Sequence, residues 1–142
     1  MRLITAIAFI LSVTSCTTQA RYSDEIMYDI ASIIKDINQS IDGELKFGDV
    51  AELTSEKIIA NAKYSNSDKL AKLASLAKDA KVYDYRMIIE LQGNNSVMMV
   101  CDGDIALMED VGCNAKFDRV YWDFPQSNSC KVSLNTAVIC DK

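Results

Sequence analysis

The spacing of apolar residues changes after Lys81, and this change limits the chain to a fold with helices first and strands after them. Before it, six isoleucines between Ile26 and Ile41 recur mostly at intervals of three or four residues, which is the period of one helix face. After it, segments rich in β-branched and aromatic residues alternate with turn sequences, as in antiparallel strands. The sequence predicts one α+β domain over residues 21–142, with about three N-terminal helices packed on a C-terminal antiparallel sheet.

Capping and turn residues predict where the helices begin and end. Ser23 is the predicted N-cap of the first helix, and Gly43 is its predicted end. Asp49 with Glu52 resembles a capping box that opens a second helix. The polar run SNSD at residues 65–68 separates that helix from a third one.

Turn sequences divide the second half of the chain into short strands. Gly93-Asn94-Asn95 and Asp102-Gly103-Asp104 are the clearest turn signals, and a further turn is predicted around Asn135. The predicted strands cover residues 82–92, 96–101, 105–108, 116–124, 130–133 and 137–140. They form an antiparallel meander because each connection is short.

The first twenty residues are predicted to be an export signal. A positive start precedes the apolar run at residues 3–13, which has the length of a secretory h-region and is too short for a membrane-spanning helix of about 20 residues. Cleavage after Ala20 would release a soluble protein. Alternatively, residues 1–15 are a lipoprotein signal, because VTSC resembles a lipobox that would leave Cys16 acylated. Both routes lead to the periplasm, and membrane contact is expected only with acylation.

Removal of the signal leaves four cysteines, Cys101, Cys113, Cys130 and Cys140. In an exported chain an even number of cysteines indicates disulfides, and four cysteines allow three pairings. Sequential pairing, Cys101 with Cys113 and Cys130 with Cys140, is expected because each pair flanks a predicted turn. A zinc site with four thiolate ligands is the alternative, although the chain has no C-x-x-C pair. We therefore expect two disulfides that staple the sheet.

Composition argues against several functions. The chain has no His, so it lacks the commonest general base, the usual serine and cysteine triads and any His-containing zinc site. Its net charge is −5, which does not suit a protein that follows the phosphates of a nucleic acid. We expect no enzymatic activity, no cofactor and no nucleic-acid partner.

Acidic residues are concentrated in one block of the strand half. Residues 87–115 contain no Lys or Arg and five acidic side chains. One interpretation is a solvated surface that keeps the protein soluble. The other is an acidic projection, stiffened by a Cys101–Cys113 disulfide, that enters a cationic cleft of a partner. With the aromatic anchors that interfaces favour, the candidate partner-binding residues are Asp102, Asp104, Glu109, Asp110, Tyr121 and Trp122.

Two other uses of these carboxylates remain open. Calcium prefers such oxygen ligands, but the sixth position counted from Asp102 is Leu107, where an EF-hand loop has Gly. A pair of carboxylates can also hydrolyse a glycoside. That signal has little specificity, because 20 acidic residues make some close pair almost inevitable.

The whole chain resembles the periplasmic immunity proteins of antibacterial type VI secretion systems. The resemblance rests on the leader MRLITAIAFILSVTSC, the isoleucine-striped first helix, and the CDGD…C and SNSCKVSLNTAVIC cysteine pairs. Among these proteins it is most similar to those that block the lysozyme-like domain of a VgrG-type spike effector. The resemblance implies a toxin–antitoxin pair in which this protein inhibits a secreted peptidoglycan hydrolase by occluding its active-site cleft.

The resemblance also implies a homodimer. The isoleucine stripe with Met27 and Tyr28 is one candidate seam between two copies, and a sheet edge is another. A second function from a different class is also open, namely a small structural or assembly lipoprotein of the envelope. That alternative predicts acylation at Cys16 and no toxin partner.

Overall fold

Helices and a sheet account for most of the described chain. The computed structural model describes residues 22–49, 54–117 and 128–140, and the backbone at 119–120. The elements are α1 (Asp24–Phe47), α2 (Ser55–Ser65), α3 (Ser67–Asp79), β1 (Tyr85–Gln92), β2 (Asn95–Asp102), β3 (Ile105–Val111), β4 (Arg119–Val120) and α4 (Thr136–Cys140). The predicted α+β class is confirmed. The predicted signal sequence, with Cys16, lies outside the described residues.

The sheet is an antiparallel meander with the strand order β1-β2-β3-β4. Gln92 pairs with Asn95 and Asp102 pairs with Ile105, so each of the first two hairpins closes with two turn residues. Both turns begin with a glycine at positive φ, 62° at Gly93 and 60° at Gly103. Only glycine adopts this conformation without strain, and a two-residue hairpin favours it at the first turn position.

The isoleucine stripe of α1 lies inside the protein's own core. Ile30, Ile34 and Ile41 are completely buried, and α1 packs against both β2 and β3. On the sheet the stripe meets Met98, Val100, Leu107 and Met108 in one cluster. Because the stripe is already covered, it is not available as a seam between two copies.

The last described segment crosses the opposite face of the sheet, and we call residues 128–140 the C-terminal strap. Two disulfides join it to the rest of the chain, Cys101–Cys130 and Cys113–Cys140. β2 lies between the helices on one face and the strap on the other, and all eight of its residues are buried. The two disulfides indicate an oxidising, extracytoplasmic environment.

The expected disulfide pairing and the expected C-terminal hairpin are both wrong. Cys130 and Cys140 bond to different partners, and residues 136–140 form the helix α4. Asn135 accounts for the helix, because its Oδ1 accepts a hydrogen bond of 3.0 Å from the Ala137 N–H and its backbone oxygen accepts from Val138 and Ile139. An Asn at this position stabilises the start of a helix.

Two predicted helix ends are also wrong. α1 continues past Gly43 to Phe47, and the N–H of its C-cap Gly48 donates to the Glu44 oxygen at 2.8 Å. The second helix begins at Ser55 instead of near Asp49, and Thr54 is its N-cap. Residue 52 of the predicted capping box lies outside the described residues. The predicted fourth strand is represented by β4 alone, and its residues 118 and 121–124 also lie outside them.

Candidate protein-binding site

The structure does not contain the acidic projection expected between Cys101 and Cys113. These two cysteines are not bonded to each other, and residues 102–110 run from the end of β2 through a tight turn into β3. In this segment Asp102, Glu109 and Asp110 are buried, whereas Asp104 is exposed. The prediction of an acidic projection is wrong because residues 102–110 belong to the sheet, where most of them are buried.

The three buried carboxylates lie in different places and have different structural partners. Asp110 faces α1 and forms an ion pair with Lys35. Glu109 faces the strap, where its oxygens accept hydrogen bonds from the Ser133 N–H and hydroxyl and from the Leu134 N–H. Neighbouring residues of a strand point to opposite faces, so Glu109 and Asp110 cannot act on one ligand.

Asp102 organises the turn between β2 and β3. Its Oδ2 accepts a hydrogen bond of 2.8 Å from the Tyr22 hydroxyl. Its Oδ1 accepts from the backbone N–H groups of Tyr83 and Asp84, at 3.1 and 2.9 Å. The Gly103 N–H donates in return to the Asp84 backbone oxygen at 2.8 Å. The buried carboxylate therefore holds the residues that precede β1 against the turn.

Two further contacts hold this turn from its other sides. Arg86 donates from Nε and Nη2 to the Gly103 oxygen, at 3.0 and 2.6 Å, and from Nη2 to Asp104 Oδ1 at 3.1 Å. On the strap side, the Cys130 N–H donates to the Asp104 backbone oxygen at 2.8 Å. The Cys101–Cys130 disulfide fixes the strap at the same point. We call residues 83–86 with 102–104 the braced turn.

The braced turn presents polar and aromatic groups to solvent at fixed positions. The Asp104 side chain is fully exposed, and Tyr83 is 83% exposed. Asp84 and Arg86 are also exposed. Tyr and Arg are enriched among the residues that contribute most to protein interfaces, and an ordered turn loses little entropy on binding. The arrangement is suited to docking against a protein.

An acidic cavity lies beside the braced turn. It has a volume of about 570 Å³ and is located where the start of α1 meets the end of α3. Tyr22, which donates to Asp102, forms part of its wall. The other lining residues are Ser23, Asp24, Glu25, Asp79, Ala80 and Lys81. The acidic surface therefore extends beyond Asp104 toward the helices.

One neighbouring phenol is unsuited to proton transfer at physiological pH. Tyr85 is the first residue of β1 and pairs with Asp102. Burial raises the pKa of Tyr85 to about 12, because removal from water disfavours the charged form. Tyr85 therefore stays neutral at the base of the braced turn.

The sequence patterns did not identify Tyr83, Asp84 and Arg86 as residues of the candidate site. They precede the acidic block and belong to no motif. The register of the hairpin closed by Gly93 and Asn94 could have predicted their position. That register, extended by six residues, places Arg86 opposite Cys101 and so brings the start of β1 to the acidic turn. Tyr121 and Trp122, the predicted aromatic anchors, lie outside the described residues.

Comparison of the chain with protein-family models, curated proteins and solved structures finds no match. Within the described residues, no group of three or more Cys, Asp or Glu side chains is placed to hold a metal ion. In the same part of the chain, no helix is long and apolar enough to cross a membrane.

Proposed function

We propose that the protein is an immunity protein of the periplasm that binds a secreted, lysozyme-like effector of type VI secretion and occludes its active-site cleft. The braced turn is the observation that carries the proposal. It combines one fully exposed carboxylate with an exposed tyrosine on a backbone held by Asp102, Arg86 and the strap. Binding without chemistry would then protect the producing cell.

The physical requirements of such an inhibitor agree with this geometry. A hydrolase of a polymeric glycan needs an open groove, and a narrow turn can enter a groove. The acidic turn favours a groove with cationic walls, because complementary charge speeds encounter and selects the partner. A standard inhibitory interface buries about 1,600 Å² in total, and the cavity next to Tyr22 gives the turn an acidic flank that adds to its contact area.

The first experiment is a pull-down with the exported, oxidised protein as bait against envelope and secreted extracts of the producing bacterium. We expect one peptidoglycan hydrolase to be recovered in near-stoichiometric amount and to lose its activity in the complex. Recovery of porins or lipoproteins alone would contradict the proposal and would favour a structural lipoprotein of the envelope.

Variants of the braced turn then test whether it is the docking site. Asp104→Lys reverses the exposed charge, and we expect the hydrolase to bind roughly 100-fold more weakly or worse. Tyr83→Ala should weaken binding roughly tenfold through loss of an aromatic contact. Asp68→Lys is the matched control, because it makes the same change of charge at the exposed start of α3. Equal affinities for the Asp104 and Asp68 variants, measured by calorimetry, would exclude the braced turn as the site.

A further inference from the structure

A polar cavity lies between the β1–β2 turn and the start of α4, and we propose that it binds an uncharged saccharide. We call it the amide cavity, because its walls include Asn94, Asn95 and Asn135. Its volume is about 380 Å³, within the range of small-ligand sites. The described residues that line it are all uncharged.

The amide cavity and the braced turn are at opposite ends of one hairpin. Tyr85 pairs with Asp102 at the braced turn, and Gln92 pairs with Asn95 at the cavity. Along a strand, these two pairs are roughly 24 Å apart. The inference is therefore independent of the proposed function, and either can fail without the other.

The side chain of Asn95 lies on the face of the sheet that the strap covers. The next residue, Ser96, bonds Asp42 of α1 on the helix face. Met99 lies in one apolar cluster with Cys130 of the strap. Neighbouring residues of a strand point to opposite faces, so Asn95 shares the face of Met99 and points away from Ser96. The start of α4 forms the cavity wall on that face.

The buried amide of Asn95 contains an unused hydrogen-bond acceptor. Asn95 is 9% exposed, and its Oδ1 accepts no hydrogen bond from the described part of the chain. A buried acceptor without a partner costs free energy. A ligand that donates a hydrogen bond to this oxygen would recover that cost. The amide nitrogen beside it carries two donors for the same ligand.

Gln92 fixes the start of α4 against the hairpin. Its Nε2 donates to the Leu134 oxygen at 3.1 Å, and its Oε1 accepts from the Thr136 N–H at 2.9 Å. The Thr136 hydroxyl donates to the Gln92 backbone oxygen at 3.2 Å. The Cys113–Cys140 disulfide holds the other end of α4. Because these contacts order the walls before a ligand arrives, binding loses little entropy.

The chemistry of the walls selects an uncharged ligand that is rich in hydroxyl groups. A charged group would lack an opposite charge among the lining residues, and burial of an unpaired charge is costly. An apolar group would leave the Asn95 oxygen without a donor. A hydroxyl both donates and accepts. Two adjacent hydroxyls of a sugar ring can therefore donate to Asn95 Oδ1 and accept from Nδ2 at the same time.

Nuclear magnetic resonance titration of the oxidised, exported protein tests the site. The probes are glucose, galactose, mannose and N-acetylglucosamine. We expect at least one of them to shift the Asn95 side-chain amide and the Gly93 N–H saturably, with a roughly millimolar dissociation constant for a ligand of this size. The Tyr83 and Gly103 signals should not move. N-acetylglycinamide, which has amide groups but no hydroxyl, is the control probe. No shift with any of the sugars, or equal shifts with N-acetylglycinamide, would overturn the proposal.

Variants distinguish binding from a structural role. Asn95→Leu removes both amide groups and should weaken sugar binding roughly tenfold or more. Its melting temperature should be unchanged or higher, because the replaced oxygen has no partner within the described chain. Asn94→Ala, at the exposed turn, should weaken binding a few-fold. Asn61→Leu is the matched control on exposed α2 and should bind normally. Normal binding by Asn95→Leu, or a lower melting temperature, would contradict the proposal.

Co-sedimentation with insoluble peptidoglycan distinguishes the two sources of such a sugar. If the ligand is part of a glycan strand, the unmodified protein should sediment with the polymer and Asn95→Leu should remain in solution. If the ligand is a free sugar, both proteins should remain in solution while the sugar titration still succeeds. Equal sedimentation of the two proteins, without a response to free sugars, would place glycan binding outside the amide cavity and overturn the proposal.

Discussion

Polar residues within the isoleucine stripe connect α1 to the sheet. Among them is Asp42, whose charged form is disfavoured by burial. Its Oδ1 accepts hydrogen bonds of 2.7 Å from the Ser96 N–H and hydroxyl. Burial raises the pKa of Asp42 above its ordinary value of 3.8, while the Ser96 hydrogen bonds and the nearby Lys46 and Lys35 act in the opposite direction. Burial dominates because the charged form loses its water.

This shift makes a prediction about stability and pH. The folded protein keeps the Asp42 proton at pH values where the unfolded chain has released it, so the contribution of Asp42 to stability is complete below about pH 3.8. That contribution is lost as the pH rises through the folded-state pKa. Asp42→Asn keeps the oxygen that Ser96 contacts and stays neutral. We expect its free energy of unfolding, relative to the unmodified protein, to increase between pH 3.5 and pH 7.

Urea denaturation at several pH values measures this difference, and the other carboxylates cancel because both proteins contain them. A difference that is constant with pH, or that decreases as the pH rises, would contradict the assignment to Asp42. Asp36→Asn is a suitable control, because Asp36 lies on the exposed face of the same helix. The Asp36 variant shows how loss of a carboxylate on the exposed face of α1 changes the free energy of unfolding.

Single residues also show where the sequence stops being informative. The period of the isoleucines predicted the buried face of α1, because apolar periodicity is a local property. The same stripe contains Lys35, Asn38 and Asp42, which are buried as well. Their partners Asp110 and Ser96 are 54 to 75 residues away in the chain, so no local pattern could identify them as core residues.

The strap is the element that the sequence predicted least well. The even number of cysteines, in a chain predicted to be exported, correctly predicted two disulfides. Their pairing, however, depends on the path of the chain between β3 and α4. The two cysteines of each observed disulfide are 29 and 27 residues apart, so no turn brings them together. Asp102 and Asp104 of the candidate site were predicted from composition, whereas their neighbours from β1 required the hairpin register.

Removing each disulfide separately should distinguish its effect on stability from its effect on the braced turn. The loops they close are similar in length, so each double Cys→Ala variant should lose about 3.5 kcal/mol in the chain-entropy model. Only the Cys101–Cys130 disulfide holds the strap beside Asp104. We therefore expect the C101A/C130A variant alone to speed amide exchange at Gly103 and at the backbone N–H of residue 130, which donates to Asp104.

Hydrogen exchange followed by mass spectrometry measures this, and urea denaturation measures the stability of both variants. The C113A/C140A variant is the matched control, because it removes a loop constraint of nearly the same size. Equal exchange at Gly103 in the two variants would show that the disulfide at Cys130 does not stabilise the braced turn.

At the scale of the whole molecule, polar contacts connect the three layers as well as apolar ones. Lys35 of α1 donates to Asp110 and to the Val111 oxygen of β3, and Asn38 donates to the Asp110 oxygen. On the other face, Glu109 of β3 accepts hydrogen bonds from the backbone N–H groups of Ser133 and Leu134 in the strap. Because β3 makes contacts in both directions, loss of either layer exposes polar groups of the sheet. We expect the helices, the sheet and the strap to unfold in one transition.

The buried ion pair between Lys35 and Asp110 provides the strongest test of this cooperativity. The two side chains are 8% and 2% exposed. Lys35→Met removes the cation from a buried carboxylate, which should lower the free energy of unfolding by about 3–5 kcal/mol. The double variant K35M/D110L should recover most of that loss, because an apolar pair replaces a buried ion pair at little cost. Far-ultraviolet circular dichroism follows the helices, and amide exchange follows β2. If the layers are coupled, both signals shift together in Lys35→Met, whereas independent layers would lose the helix signal first.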